Sequence, residues 1–286
     1  MISAEAWPAP AKINLFLHVV GRRPDGYHLL QTIFQFLDYG DALEIAARGD
    51  GEIRRLNDLP GVPPEQDLVV RAARLLQAAT GTSLGAEIRV HKRLPLGGGL
   101  GGGSSNAATV LVALNALWGT QLAPPALAAL GLRLGADVPV FIHGHAAWAE
   151  GVGEALTPID VPEPWYVVIH PGCHVPTAAV FSDPELTRNT PVSTIRGLSL
   201  ATCHNDCEPV TCRLFPEVAR ALAWLGRHAP ARMSGTGACI FAPFELPEAA
   251  REVAAQVPAH WTAFVAAGCN RSPLLARAAA AGVPGA

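Results

Sequence analysis

The sequence predicts an α+β protein built from two lobes. Its 286 residues are many for a single hydrophobic core. Segments with the pattern of strands alternate with segments with the pattern of helices, and a proline-rich stretch at residues 156–165, LTPIDVPEPW, interrupts the apolar pattern. We therefore predict a first lobe over residues 1–160 and a second lobe over residues 161–286.

The first lobe is predicted to mix strands and helices. Apolar and polar residues alternate in AKINLFLHVVG, which predicts a half-buried strand, and RRPDGYHLLQTIFQFLDYGDALEI predicts further antiparallel strands after a Pro24-Asp25-Gly26 turn. The segment QDLVVRAARLLQAATG has the spacing of an amphipathic helix that stops at Gly81. AEIRVHKRLPL returns to the alternation of a strand, and PPALAALGLRLGADVPVFIHG predicts another helix, a break at Gly135 and a short segment that begins with Asp137.

The second lobe is predicted to be a small α+β sandwich. Its strand patterns are YVVIHPG, ACIFAPF and TAFVAAGC, and its helix patterns are EVARALAWLGRHAP and PEAAREVAAQV. The Ala/Gly-rich tail from Ala276 is expected to be frayed.

The composition narrows the class of partner. A net charge of -3 disfavours non-specific nucleic-acid binding, and hydrophobic residues make up 50% of the chain, enough for a packed core. No apolar run reaches membrane-spanning length, and MISAEAWPAP lacks the features of a signal peptide. We predict a cytoplasmic protein with a small-molecule partner, and neither a nucleic-acid nor a membrane partner.

Six cysteines are scattered along the chain, which favours free thiols over a disulfide framework. Cys203, Cys207 and Cys212 cluster in CHNDCEPVTC, which lacks the C-x2-C spacing of most zinc knuckles. No metal site is predicted, and free or buried thiols are favoured over a metal site at this cluster.

A glycine-rich stretch, LPLGGGLGGGSSNAATVLVAL at residues 94–114, lies between a predicted strand and a predicted helix. Its G-x-G-x-x-G spacing suggests a dinucleotide fingerprint, but no Asp or Glu occurs from Ile88 to Ala136 to bind a ribose. Its Walker spacing fails because Gly103 stands where a lysine is required. A flexible linker is disfavoured because linkers join domains and are polar.

The same stretch is suited to binding phosphate. Successive glycines allow their N–H groups to point inward together, and a helix capped by Ser104, Ser105 or Asn106 adds its own free N–H groups. Only Lys12 and Lys92 are lysines among 21 basic residues, which suggests positions where a compact ammonium is needed.

Three motifs together resemble a known superfamily. PLGGGLGGGSSNAA resembles the second motif of the galactokinase, homoserine kinase, mevalonate kinase and phosphomevalonate kinase (GHMP kinase) superfamily, APAKINLFLHVVGRRPDGYH its first, and RMSGTGACIFA its third. Together with RPDGYHLLQTIFQ and GADVPVF, they are similar to the branch that acts on a cytidine-diphosphate-linked methylerythritol, from about residue 8 to residue 273.

The resemblance implies a GHMP-kinase-like fold whose C-terminal lobe is a ferredoxin-like α/β sandwich. It implies ATP-dependent phosphorylation, with Mg²⁺, of the 2-hydroxyl of 4-diphosphocytidyl-2-C-methyl-D-erythritol in the non-mevalonate isoprenoid precursor pathway. Another small-alcohol kinase, such as a homoserine kinase, is the alternative, and a nucleotide-sensing module without catalysis is disfavoured by the presence of Lys12 and Asp137. We expect a monomer or a weak homodimer.

Catalytic roles fall on Lys12 and Asp137 by the same resemblance. Asp137 would accept the proton of the attacking hydroxyl, and Lys12 would orient that hydroxyl and offset its charge. A helix N-cap is the alternative role for Asp137, and a solvated strand lysine the alternative for Lys12.

The remaining site residues are also carried over from the family. Asn14 would hold the sugar alcohol, Tyr27 and Phe181 would sandwich the cytosine, His28 would read the edge of the base, and Thr177 would lie nearby. Ordinary core or satisfied residues are the alternative for His28 and Phe181. The ATP phosphates would contact Pro95, Leu96, Gly97, Gly98, Gly99, Leu100, Gly101, Gly102, Gly103, Ser104 and Ser105, with Ser104 or Ser105 reaching the magnesium; Gly235, Thr236 and Gly237 would support them, and Asp67 and Leu68 would lie near the adenine.

Overall fold

A computed structural model of the chain describes residues 6–59, 61–197, 200 and 202–283. Within them no helix is both long and apolar enough to cross a bilayer. The strands of both lobes belong to one ten-stranded sheet with the path β3-β4-β2-β10-β7-β9-β8, from which β1, β5 and β6 branch.

The first lobe is organised around a long antiparallel hairpin. Strand β1 (Trp7–Arg22) pairs with β2 (His28–Arg48) along most of its length, with several register shifts. Strand β2 also pairs with β4 (Gly85–His91), which carries the short parallel strand β3 (Ile53–Arg55). Strand β5 (Ala147–Glu150) pairs with β2 and with β6 (Ala155–Pro158). The predicted group of several strands after the turn is therefore one 21-residue strand.

Four helices from the described part of residues 1–160 cover the first lobe: α1 (Leu68–Thr80), α2 (Gly102–Leu117), α3 (Pro124–Leu132) and α4 (Val138–His143). Helix α1 ends at Gly81, whose φ of 67° and N–H bond to the Gln77 carbonyl form the predicted stop. Helix α2 is almost entirely buried, and its apolar residues pack in one core with α1 and the sheet. The glycine-rich stretch is thus fixed at both ends, by β4 and by α2.

The second lobe contains β7 (Trp165–His170), β8 (Arg232–Met233), β9 (Ile240–Phe244) and β10 (Thr262–Cys269), with helices α5 (Thr177–Ser182), α6 (Cys207–Leu214), α7 (Pro216–Leu225) and α8 (Pro247–Ala254). The strand order β10-β7-β9-β8 and the helical connections between β7 and β8 and between β9 and β10 are those of a ferredoxin-like sandwich, which confirms that prediction. Cys207 is fully buried in its core.

The two lobes are joined by backbone pairing and by the end of the chain. Residues Gly268 and Cys269 of β10 pair with Leu37 and Phe36 of β2. After β10, helix α9 (Pro273–Ala280) begins at Ser272, whose side chain accepts from the Leu274 N–H.

Helix α9 does not belong with the lobe that precedes it. Leu274, Ala278 and Val283 are buried in the core of the first lobe. The expectation that the chain is frayed from Ala276 is therefore wrong for residues 276–283, because a face of this alanine-rich helix finds an apolar partner. The division at residues 160 and 161 falls between β6 and β7, but the span 161–286 includes this helix of the first lobe.

Candidate active site

A cavity of about 440 Å³ lies where the two lobes meet. Its wall is formed by the predicted catalytic pair, most of the glycine-rich stretch and the third glycine-rich motif. The lining residues include Lys12, Asn14, Pro95 to Ser104, Asp137, Thr177, Phe181, Gly235 and Thr236. Most of the residues predicted from distant parts of the sequence thus surround one space.

Lys12 and Asp137 meet inside this cavity. The Lys12 ammonium, buried at 3% exposure, lies 3.4 Å from Asp137 Oδ2 and donates to Asn14 Oδ1 at 2.6 Å. The same nitrogen lies 5.2 Å from the centre of the Phe34 ring. Asn14 is oriented in turn by donation from its amide to Thr32 Oγ1 at 2.9 Å. The ammonium is therefore held in place, whereas the Asp137 carboxylate remains accessible from the cavity.

Asp137 stands at the N-cap position of α4, but its side chain makes no capping hydrogen bond. The alternative role as a helix cap is therefore wrong. The short helix positions the carboxylate next to Lys12 and leaves its second oxygen to accept from a ligand.

The glycine-rich stretch is packed against the third motif. Ser234 donates from its hydroxyl to the Gly99 carbonyl at 2.9 Å, and Cys239 N–H donates to the Gly98 carbonyl at 3.0 Å. Gly99 has φ of 73°, and a Cβ there would lie 2.2 Å from the Ser234 carbonyl oxygen. Only glycine satisfies both the left-handed conformation and this close approach.

Helix α2 begins earlier than the sequence suggests. Its N-cap is Gly101, with φ of 71°, and the prediction of a cap at Ser104, Ser105 or Asn106 is wrong because these residues already lie inside the helix. Ser104 lines the cavity, whereas Ser105 is fully buried and its hydroxyl has no hydrogen-bond partner among the described residues. The free N–H groups of the first turn therefore belong to Gly102, Gly103 and Ser104.

The two residues predicted to lie near the adenine, Asp67 and Leu68, have different environments. Leu68 lines the cavity, but the Asp67 carboxylate faces away from it, accepting from the Val69 N–H at 3.0 Å and from Arg55 at 2.7 Å. Both side chains of this ion pair are nearly buried. Asp67 therefore caps α1 and anchors it to the sheet, which leaves Leu68 as the member of the pair that can contact a nucleotide.

The predicted base-binding residues line a second cavity, of about 530 Å³, which includes Tyr27, His28, Thr177 and Phe181. Tyr27 is 64% exposed, and the His28 ring stacks on Phe181 with centroids 5.0 Å apart and planes at 26°. Burial and the nearby charges of Arg188 and Arg22 lower the pKa of His28. Thr177 contacts Thr236 through their hydroxyls at 3.1 Å, which links this cavity to the third motif.

The two cavities are contiguous. Leu30, Ala136, Val152, Thr177 and Phe181 line both of them. A single extended molecule can therefore place one end near Asp137 and the other end between the aromatic side chains.

Lys92 lines the cavity, and although the sequence suggested a compact ammonium at this position, it assigned the residue no specific role. Its ammonium forms an ion pair with the buried Asp41 at 2.5 Å, and Asp41 also accepts from the Arg93 and Leu94 N–H groups. The nitrogen would lie 3.3 Å from a Cβ at Gly102, so it stands beside the start of α2. The scarcity of lysine was the available signal, because both lysines of the chain line the cavity.

No group of three or more His, Cys, Asp or Glu side chains arranged to hold a metal ion occurs in the described part of the chain. The thiols of Cys207 and Cys212 instead have pKa values raised to about 12 and about 11 by burial. These thiols are predominantly protonated at neutral pH.

Comparison with known proteins identifies the family. Residues 67–145 match the model of the GHMP kinases N terminal domain, and residues 185–263 match that of the GHMP kinases C terminal. The chain is 63% identical to the 4-diphosphocytidyl-2-C-methyl-D-erythritol kinase of Alkalilimnicola ehrlichii over 271 residues, which covers 95% of this chain and 93% of that one. It is 60% identical to the protein of the same name from Nitrosococcus oceani, over 94% of this chain and 96% of that one.

The chain belongs to the 4-diphosphocytidyl-2-C-methyl-D-erythritol kinase family. A crystal structure titled 4-(cytidine 5'-diphospho)-2C-methyl-D-erythritol kinase superposes with a TM-score of 0.81 at 37% identity, covering 92% of this chain and 98% of that chain. The predicted membership of the GHMP kinases, and of this branch within them, is confirmed. The chain is therefore a small-molecule kinase of two GHMP-type lobes.

Proposed function

We propose that the chain transfers the γ-phosphoryl group of ATP to the 2-hydroxyl of 4-diphosphocytidyl-2-C-methyl-D-erythritol, a step of the non-mevalonate isoprenoid precursor pathway. The observation that carries the proposal is the continuity of the two cavities. A nucleotide-linked alcohol needs a reaction centre and a separate slot for a base, and the first cavity holds Lys12 and Asp137 while the second holds Tyr27 and Phe181.

In the proposed reaction the substrate hydroxyl lies against Asp137. Its proton passes to the carboxylate as its oxygen bonds to the γ-phosphorus, and the bond from that phosphorus to the bridging oxygen of ADP breaks. Lys12 keeps its charge and offsets the negative charge that develops on the attacking oxygen. The buried ammonium needs no reorganisation, because Asn14 already holds it.

The nucleotide would bind with its phosphates against residues 95–104. The N–H groups at the start of α2 point to the same side as the positive end of the helix dipole, and the Lys92 ammonium, which is paired with Asp41, lies beside them. The donor set also fits magnesium held mainly by the ATP phosphates, with the Ser104 hydroxyl as protein ligand, since Mg²⁺ in such sites takes few protein ligands. Bound magnesium would neutralise charge on the β- and γ-phosphates.

A homoserine kinase is the less favoured function. Homoserine has no base, so the second cavity with Tyr27 and the stacked His28 and Phe181 would be unused. The free thiols of Cys173, Cys207, Cys212, Cys239 and Cys269 support the proposal that the protein works in a reducing compartment such as the cytoplasm. That it acts as a monomer or a weak homodimer stays a prediction, which sedimentation at assay concentration would test.

The deciding experiment is ADP release from ATP, coupled to NADH oxidation, with three acceptors. We expect turnover with the cytidyl alcohol and none above background with homoserine or mevalonate. Phosphorylation of homoserine at a comparable kcat/KM would refute the proposal.

The base slot is tested by Tyr27→Ala. Because Tyr27 is mostly exposed and lies outside the first cavity, its removal should raise the KM of the cytidyl alcohol about tenfold with little change in the KM of ATP. Tyr39→Ala is the matched control, because that ring stacks on Phe264 away from both cavities. Equal effects of Tyr27→Ala on both KM values would contradict the slot.

A further inference from the structure

Arg188 connects the two side chains of the base slot. It lies in the segment that follows α5, and one guanidinium nitrogen donates to the Phe181 carbonyl at 3.0 Å and to the Asp183 carbonyl at 2.7 Å. The other terminal nitrogen donates to the Leu186 carbonyl at 3.0 Å, and Nε donates to His28 Nε2 at 3.1 Å. Four bonds therefore fix the guanidinium, and one of them reaches across to the first lobe.

The bond to His28 determines where the proton of the imidazole lies. A guanidinium has only donors, so the ring nitrogen that faces it must be an unprotonated acceptor. A neutral imidazole with an acceptor at Nε2 carries its hydrogen on Nδ1. Nδ1 makes no hydrogen bond to any described residue, and the ring lines the second cavity.

The charges around His28 also keep it neutral. Arg188 faces it from the segment after α5 and Arg22 faces it from the end of β1, and both lower its pKa together with burial. The nearby Asp25 carboxylate bonds to Arg23 and to the Tyr27 N–H and makes no bond to the ring. The imidazole thus presents one N–H donor and no acceptor to the cavity near neutral pH.

This donor distinguishes two pyrimidines. Position 3 of cytosine is a bare nitrogen that accepts a hydrogen bond, whereas position 3 of uracil carries a hydrogen. We infer that Arg188 is a positioning residue for base specificity, which holds His28 as the Nδ1–H tautomer so that the slot accepts cytosine and rejects uracil. The inference depends on the proposed function for the identity of the base, but the tautomer itself depends only on the contacts of Arg188.

The rejection has a physical source. With uracil, two N–H groups would face one another in a partly buried slot, and both would lose the water they had outside. Without Arg188 the imidazole can move its proton to Nε2 and offer Nδ1 as an acceptor, which removes the conflict. The loss of Arg188 should therefore relax the preference rather than abolish phosphoryl transfer.

The test compares kcat/KM for the cytidine- and uridine-diphosphate-linked alcohols in the wild type, Arg188→Met and Arg188→Gln. We expect the preference for the cytidyl substrate to fall about tenfold in Arg188→Met through its KM, with kcat nearly unchanged. Arg196→Met is the matched control, because that arginine is exposed in the same segment, and it should keep the wild-type preference. A preference unchanged in both Arg188 variants would overturn the inference.

A second measurement does not need turnover. The ¹⁵N chemical shifts of His28 should report the Nδ1–H tautomer from pH 6 to pH 8 in the wild type, and a mixture with a higher pKa in Arg188→Met. If Arg188→Met fails to fold, Arg188→Gln carries the same test, because its amide oxygen can accept a hydrogen bond and so no longer excludes a proton on Nε2. A wild-type spectrum with the proton on Nε2 would overturn the inference. Absence of turnover with the cytidyl alcohol, alongside the expected spectrum, would instead refute the proposed function.

A double-mutant cycle with His28→Asn tests whether Arg188 acts through His28. An asparagine side chain has no tautomers, so its hydrogen-bonding groups do not depend on Arg188. In that background Arg188→Met should change the preference less than threefold. A tenfold effect of Arg188→Met that persists without His28 would show that Arg188 acts by another route.

Discussion

Replacing Asp137 with asparagine separates chemistry from architecture in this site. The substitution keeps the shape of the side chain and removes its capacity to accept a proton. At 3.4 Å, and with an effective dielectric constant of about 20, the charges of Lys12 and Asp137 attract by about 5 kcal/mol. The carboxylate is 35% exposed, so water screens much of this attraction, and we expect the free energy of unfolding to fall by about 1 kcal/mol.

The effect on turnover should be much larger. Loss of a general base slows a reaction by about 10²- to 10⁴-fold, which corresponds to about 3 to 5 kcal/mol in the activation barrier. Coupled ADP release under saturating substrates should therefore show kcat reduced by at least two orders of magnitude, while the ATP dissociation constant, from titration calorimetry, changes less than threefold. Asp160→Asn is the matched control because this carboxylate is exposed and lines neither cavity.

Two results would refute this reasoning. A kcat within threefold of the wild type would remove Asp137 from the proton transfer. A loss of ATP binding or of several kcal/mol of stability would show that the carboxylate serves the structure instead. Urea unfolding of both variants distinguishes these results.

Three further substitutions test buried contacts of residues outside the catalytic pair. Gly99→Ala should lower stability by more than about 1 kcal/mol and raise the KM of ATP, because its Cβ would meet the Ser234 carbonyl; unchanged unfolding and kinetics would contradict the packing. Asp67→Ala should lower the free energy of unfolding, measured in urea, by about 3 to 5 kcal/mol, because it leaves the buried Arg55 guanidinium without its carboxylate partner. A decrease below about 1 kcal/mol would contradict this. Burial lowers the pKa of His18, so its contribution to stability is present above about pH 6.5 and is lost as the pH falls below that value. The stability of His18→Phe should therefore fall less steeply between pH 7 and pH 5 than that of the wild type, and equal slopes would contradict the assignment.

The sequence predicts local elements well where one period dominates. Helix α1 and the predicted elements of the second lobe, which are β7, β9, β10, α7 and α8, follow their apolar spacing closely, whereas α5, α6 and β8 were not predicted. The sequence predicts several strands after the Pro24-Asp25-Gly26 turn, whereas the fold has the single strand β2, which runs through Gly40 and Asp41. In the fold, a Cβ at Gly40 would lie 2.2 Å from the Ala9 carbonyl oxygen, and Asp41 is buried against Lys92. Both residues serve contacts with distant segments, which no local pattern reveals.

In the candidate site, too, local features could be predicted from the sequence and contacts between distant segments could not. The glycine-rich stretch could be assigned to phosphate from its own residues, because the strand and helix that flank it are evident in the sequence. The meeting of Lys12 with Asp137 depends on the whole fold, and only the family resemblance anticipated it. Arg188 carried no signal at all, since a single arginine in a polar segment looks like any solvated arginine until the structure places it against His28.

The return of α9 to the first lobe has a consequence for how the protein is made. A ribosome must synthesise about 280 residues before Leu274 and Ala278 can complete the core against α2 and β1. The first lobe, although first in the chain, is therefore finished last, and a fragment ending near residue 160 would leave an apolar surface open to solvent. Protein engineers who wish to exchange lobes between relatives should move residues 273–283 together with the N-terminal half, so that each lobe keeps the helix that closes it.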